Sequence, residues 1–172
     1  MKFNFIATTF RFAEDDIIDE LEELFYEFGD SCISVVKTNV SGIVVGYSVK
    51  SPLDFIDFLK KKIKEEPWSI RYILRLIPIE RVVVSDIVEI KNVSLELSNK
   101  IPSDKRVKIF IEKRHSNIKR SEIIDEIGRS LTFKVDLENP DWLILVEIIG
   151  KYSGISVIEP RYVFSSQIEK RL

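Results

Sequence analysis

The apolar residues of the first 77 positions change spacing in a set order, and that order restricts the fold more than any feature of composition does. Phe3 to Phe10 is rich in Phe, Ile and Thr and predicts a strand. Ile17, Ile18, Leu21, Leu24, Phe25 and Phe28 then recur at the spacing that lines one face of a helix. Glu14 to Asp16 occupy its first turn, where the helix dipole favours negative charge, and Gly29 follows its end. Ile33 to Val36 and Ile43 to Val49 are β-branched runs separated by Asn39, Ser41 and Gly42, the pattern of an antiparallel pair. Ser51-Pro52 opens a second helix, Ser as its cap and Pro in its first position. Phe55, Ile56, Leu59 and Ile63 make its buried face, and Pro67 ends it. Ile70, Tyr72, Leu74 and Leu76, alternating with Arg71 and Arg75, predict a fourth strand.

Strand, helix, strand, strand, helix, strand is the order of a ferredoxin-like split βαβ unit, expected over residues 1–78. That superfold hosts many roles, so the topology assigns no activity. A second α/β unit is expected over 79–165, with 166–172 as a tail. It opens on a helix from Ser85-Asp86, with Ile87, Ile90, Val93 and Leu97 on its apolar face. Val107, Ile109 and Ile111 then form a strand leading into Lys113-Arg114-His115. The next helix is capped by Ser121, with Ile123, Ile124, Ile127 and Leu131 inward; Gly128 inside it costs about 1 kcal/mol relative to Ala, which argues for close approach of another backbone. Phe133 to Leu137 is a short strand and Asn139-Pro140-Asp141 a turn. Trp142 to Ile149 is nearly continuous apolar sequence, as in a central strand covered on both faces, and Lys151 to Ile158 is its antiparallel partner. With no repeat or flexible linker, the fold class is α+β, two units packed together.

Composition removes several classes of function. One cysteine, Cys32, and one histidine, His115, leave no intramolecular disulfide and no Cys/His zinc cluster. Cys32 is expected as a small core residue and Trp142 as core. Six glycines offer little from which to build a phosphate-cradling loop, and no Ser or Cys has a partnered His, so neither a catalytic residue nor a cofactor is assigned. Asp136 and Asp141 lie in a turn that favours a structural role, Asp141 ordering the loop backbone. No run approaches 18 apolar residues and the first residues lack a signal-peptide pattern, so the expectation is a cytoplasmic protein with no membrane partner.

The net charge of −2 hides two poles. Phe12 to Asp30 holds nine acidic residues and no basic one, a face that is either solvated or docks a basic partner. Lys105 to Lys134 holds nine basic residues against four acidic, a local excess of five. A polyanion is steered to the second pole.

Phe110-Ile111-Glu112-Lys113-Arg114, then Ser121 through Gly128, then Val135-Asp136-Leu137-Glu138-Asn139-Pro140-Asp141 and the apolar strand after it resemble the THUMP domain over roughly residues 80–165. That family is an RNA-binding module named for thiouridine synthases, RNA methyltransferases and pseudouridine synthases, and a ferredoxin-like unit commonly precedes it. The resemblance implies tRNA as partner and catalysis in a different domain or chain. Stand-alone members imply an adaptor that presents tRNA to a separate RNA acetyltransferase forming N4-acetylcytidine. The alternatives are a subunit of a thiouridine synthase or methyltransferase, or a protein-interaction domain that has lost RNA.

The residues expected to hold RNA are Lys113, Arg114, His115, Lys119, Arg120, Arg129, Lys134, Asn139 and Lys151, arranged as one stripe along the second sheet, with Asn117 beside them. Neutralising about six phosphates makes log affinity fall with log salt at a slope of roughly −4 to −5.

Overall fold

The structure, a computed structural model, describes residues 2–172. It divides into two compact units, 79–160 and 2–78 together with 161–172.

In the unit that begins the chain, β1 (Phe5–Thr8), β2 (Ser34–Lys37), β3 (Ile43–Tyr47) and β4 (Arg75–Pro78) alternate with α1 (Glu14–Phe28) and α2 (Pro52–Glu65) in the expected βαββαβ order. A fifth strand comes from the far end of the chain. Phe164–Ser165, β10 in chain order, pairs antiparallel with β4, giving the sheet order β10-β4-β1-β3-β2. The expected end of the second unit at 165, with 166–172 as a tail, is therefore corrected, since 161–172 belongs with the first unit. Phe164 is fully buried in the first core, and Ser165 caps α5 (Ser166–Glu169) by accepting the Ile168 amide. One large apolar side chain and one ladder are enough to fix a short segment that polar residues surround.

The core of this unit is aromatic. Phe25 stacks on Phe55 at 3.5 Å between ring centroids and on Phe5 at 5.2 Å. The Phe5 ring occupies the space over its register partner Gly46, where a Cβ would lie 2.1 Å from it. Gly29 ends α1 in the left-handed conformation (φ 105°), its amide donating to the Phe25 and Tyr26 carbonyls. Ser51 precedes α2 and Pro52 is its first residue, as expected, but the Ser51 side chain makes no capping bond. The fourth strand is shorter than its apolar alternation predicts, because 67–69 turn in a 3-10 helix and the amides of Arg71, Tyr72 and Ile73 bond the Glu20 carboxylate. Asp30, buried, accepts amides from Cys32, Val49 and Lys50. Several carboxylates of the acidic pole thus close backbone turns. Cys32, expected in the core, is exposed beside this turn.

The second unit is a five-stranded sheet in the order β5-β9-β8-β6-β7. It contains β5 (Arg81–Val84), α3 (Ile87–Ser98), β6 (Arg106–Arg114), α4 (Arg120–Gly128), β7 (Lys134–Val135), β8 (Trp142–Ile149) and β9 (Tyr152–Ile158). β6 runs parallel to both β7 and β8, while β8–β9 and β5–β9 are antiparallel. Ile90 and Val93 of α3 and Ile123 and Ile127 of α4 pack with Ile111, Val146, Ile148 and Ile155 of the strands. Burial of each such side chain contributes about 1.5–3 kcal/mol. Asp86 caps α3 by accepting the Glu89 amide. The cap expected at Ser121 is corrected: α4 starts two residues earlier than that cap implies, at Arg120 after Lys119, and has no side-chain cap. Gly128 is corrected as well, since nothing lies within 4 Å of a Cβ built there. Trp142 is half-buried against the small cluster of Ile101, Val107, Ile144 and Val157.

Candidate nucleic-acid interface

The parallel pairing of β6 with β8, in register from Val107↔Trp142 to Arg114↔Ile149, brings two carboxyl ends to the same edge of the second sheet. In open α/β sheets that edge is where ligand crevices form. Here it holds an open groove of about 740 Å³, lined by Val84, Ser85 and Ile87 on one side, His115 to Ile118 and Glu122 on another, and Gly150 and Lys151.

The rim is braced from below. The Gly150 amide donates to the Arg114 carbonyl (2.9 Å) and the Ser85 amide to the Lys151 carbonyl (2.7 Å), tying the β8–β9 turn to the ends of β6 and β5. The Ser85 and Ser153 hydroxyls bond each other at 2.8 Å. The Lys113 ammonium donates to the Ile118 carbonyl (3.0 Å), and the Ile118 amide to the Ser116 hydroxyl (3.2 Å). These bonds set the 115–118 loop, in which His115 takes the left-handed conformation (φ 55°). Ordering is supplied before any ligand arrives, which lowers the entropic cost of binding.

Of the nine expected residues, six gather at this edge. His115, Lys119, Arg120 and Lys151 are exposed there, with Asn117. Arg120 makes only a loose contact with Glu112, at 3.9 Å. Lys113 serves the loop. Arg114 is committed elsewhere: its guanidinium lies 2.6 Å from Glu147, whose side chain is 0 % exposed while that of Arg114 is 17 %. A buried carboxylate needs a partner, and the strand above supplies it.

The other three lie at the opposite edge, so the single stripe is not formed. Lys134 stands opposite Arg106 at the amino end of β6, roughly 26 Å from Arg114 at about 3.3 Å per residue. Arg129, just past α4, pairs with Glu126 at 3.0 Å. Asn139 sits in the 136–141 turn, where its amide and that of Glu138 donate to Asp136. These backbone bonds, then the Arg106 charge, hold the Asp136 carboxyl below the usual carboxylate range. The Arg106 amide does the same for Asp141, which accepts it at 2.9 Å. The Val-Asp-Leu-Glu-Asn-Pro-Asp segment is therefore a structural clasp around Arg106, as expected for Asp141.

Val84, Ser85, Ile87 and Glu122 were not among the expected residues. The run Arg81-Val82-Val83-Val84 before Ser85-Asp86 carried the signal of β5, and an acid in the first turn of α4 was visible in Glu122. Among the described residues no group of three or more His, Cys, Asp or Glu is placed to hold a metal, and no helix is long and apolar enough to cross a membrane.

Residues 84–158 match the THUMP domain. A comparison with curated proteins found no match. Among solved structures, PH1313 from Pyrococcus horikoshii aligns over 92 % of this chain and 55 % of its own at 14 % identity, with a TM-score of 0.67. A possible methylase from Clostridium difficile aligns over 91 % and 41 % at 16 % identity (TM-score 0.59). A 4-thiouridine synthetase solved with RNA and ATP aligns over 92 % and 42 % at 19 % identity (TM-score 0.57). At these identities the likeness is one of fold, and the chain spans about half the length of the proteins it resembles. The match over 84–158, on an α/β sheet whose carboxyl edge carries a braced groove, identifies the second unit of this α+β chain as a THUMP domain.

Proposed function

We propose that the chain is the RNA-holding part of a tRNA-modifying system, and that the groove at the carboxyl edge of its THUMP domain grips the RNA. The match of residues 84–158 carries this reading. The solved 4-thiouridine synthetase complex, which contains RNA, supports it. On this reading bond-making chemistry belongs to another domain or chain, which is supported by structural relatives that extend well beyond the part this chain aligns with. The modification favoured is thiolation or methylation, the chemistry for which two of those relatives are named. Neither the 4-thiouridine synthetase nor the possible methylase is named for acetyl transfer, the chemistry of the adaptor inferred from stand-alone chains.

Helical RNA buries its base edges in a deep, narrow groove, so a protein reads its phosphates, ribose hydroxyls and shape. Lys119 and Arg120 on the α4 side and Lys151 on the β8–β9 turn meet phosphates; His115 and Asn117 donate hydrogen bonds to ribose or phosphate oxygens. Three exposed cations, in place of the six expected from the sequence, set the slope of log affinity against log salt at roughly −2 to −3.

The test is nucleoside analysis of tRNA from cells lacking the chain. Loss of a thiolated or methylated nucleoside supports the reading, loss of acetylcytidine restores the adaptor, and an unchanged profile removes both.

A further inference from the structure

Between β1 and α1 the chain reads Thr9-Phe10-Arg11-Phe12-Ala13, and the core of the first unit has no use for its aromatic rings. Phe12 is 86 % exposed and Phe10 51 %. The Phe12 backbone sits at φ 65°, a left-handed conformation that bulky residues rarely take. An exposed ring on a strained backbone persists only where surrounding bonds enforce it. They do: the Ala13 amide donates to the Phe10 carbonyl (3.1 Å) and the Thr9 amide to the Gly42 carbonyl (2.8 Å). Gly42, itself at φ 79°, approaches so closely that a Cβ there would lie 2.9 Å from the Thr9 oxygen.

Charge around the loop is arranged as well. Glu14 is spent on the Gly42 amide (2.7 Å) and the Ser41 hydroxyl, and Asp15 on Lys37 (2.8 Å). Arg11, exposed and between the two phenylalanines in sequence, makes no hydrogen bond or ion pair among the described residues. Two exposed rings on a fixed backbone, on either side of the arginine in sequence, match the chemistry of an unpaired nucleobase, which stacks on rings whatever its sequence and accepts a cation beside its phosphate. The exposed carboxylates Asp16, Asp19, Glu22 and Glu23 farther along α1 repel a strand running along the helix. That confines the contact to one or two nucleotides.

We infer that the Phe10-Arg11-Phe12 loop is a stacking site for an unpaired base of the bound RNA. The inference rests on the RNA-holding reading and places a second contact outside the THUMP domain.

The test uses the full chain with tRNA and with a short single-stranded RNA carrying 2-aminopurine, whose emission falls on stacking. Wild-type protein quenches the probe. Phe12→Ala abolishes quenching and weakens single-stranded binding about tenfold or more, Phe12→Trp restores both, and the melting curve shows each variant folded. The separate variant Lys119→Glu/Lys151→Glu reports on the groove. If it loses tRNA while Phe12→Ala binds tRNA and probe as wild type does, the stacking inference fails and the groove reading stands. If the groove variant binds tRNA normally while Phe12→Ala loses the quench, the stacking site stands and the groove reading fails. A Phe12→Ala change that alters only the mass of the protein in solution makes the loop a protein contact and overturns the inference.

Discussion

The two edges of the THUMP sheet carry similar basic residues and use them differently. At the amino edge Arg106 is held by Asp136 at 2.8 Å and by Asp141 at 3.5 Å, and Arg129 by Glu126. Arg106 fastens the 136–141 turn, and Arg129 is spent on the end of α4. At the carboxyl edge Arg114 is sunk against Glu147 and Lys113 serves the loop, while Lys119, Arg120 and Lys151 are exposed, with only the 3.9 Å contact of Arg120 to Glu112 among them. Whether a cation is available to a ligand is decided by where the acids fall in space, which a count along the chain does not contain.

The largest effect expected from breaking this arrangement is at the buried pair. Arg114→Met leaves Glu147 without its 2.6 Å partner and costs about 3–5 kcal/mol in urea unfolding. Arg114→Met combined with Glu147→Leu recovers most of that loss, since an apolar pair needs no desolvation. Equal instability in the single and double variants would show that the pair is not an isolated couple.

Function separates the edges next. Lys119→Glu/Lys151→Glu weakens tRNA binding at least tenfold and flattens the salt slope by about 1.5, because each substitution leaves one phosphate without its cation. Arg129→Glu/Lys134→Glu, at the other edge, changes affinity less than twofold in the same filter-binding assay. Equal losses at both edges would mean that RNA spans the sheet.

A smaller difference appears in acid. The folded-state carboxyls of Asp136 and Asp141 lie below their usual range, so the stability they contribute is present above the unfolded aspartate pKa, about 3.9, and is lost as pH falls through the lower folded values. Asp136→Asn and Asp141→Asn therefore flatten the acid limb of a melting-temperature profile, while Lys119→Glu leaves its shape unchanged.

Much of this was legible in the sequence. The βαββαβ order of the first unit, the inward faces of α1 and α2 and the central position of β8 follow from period, because one buried stripe per helix and continuous burial of a middle strand leave direct marks on residue type. β10 left no such mark. Two residues long, it is set by Phe164 entering a core built from residues more than 80 positions away. At the site, the loop after β6 was legible from Lys113 to Arg120, but the fate of Arg114 was not: Glu147 is distant in sequence and meets it only through the parallel register. Arg129, Lys134 and Asn139 were grouped with that loop by chain proximity, although nine residues of strand carry the two ends of β6 to opposite edges.

The smallest effects come from one glycine at each edge, and they are opposite in sign. Gly128 ends α4 toward the amino edge and Gly150 forms the β8–β9 turn at the carboxyl edge; a Cβ added at either meets nothing within 4 Å. Space therefore does not distinguish them, and backbone conformation does. Gly128 is helical and lacks the positive φ that calls for glycine, so Gly128→Ala removes unfolded-state freedom and stabilises by about 0.5–1 kcal/mol. Gly150 sits at φ 58°, where an L side chain meets its own carbonyl, so Gly150→Ala destabilises by about 1 kcal/mol. Because the Gly150 amide also ties the turn to Arg114, that variant loosens the rim carrying Lys151 and lowers tRNA affinity about as much as it lowers stability. A stabilising Gly150→Ala would mean that the rim relaxes freely, and the preorganisation assigned to the carboxyl edge would go with it.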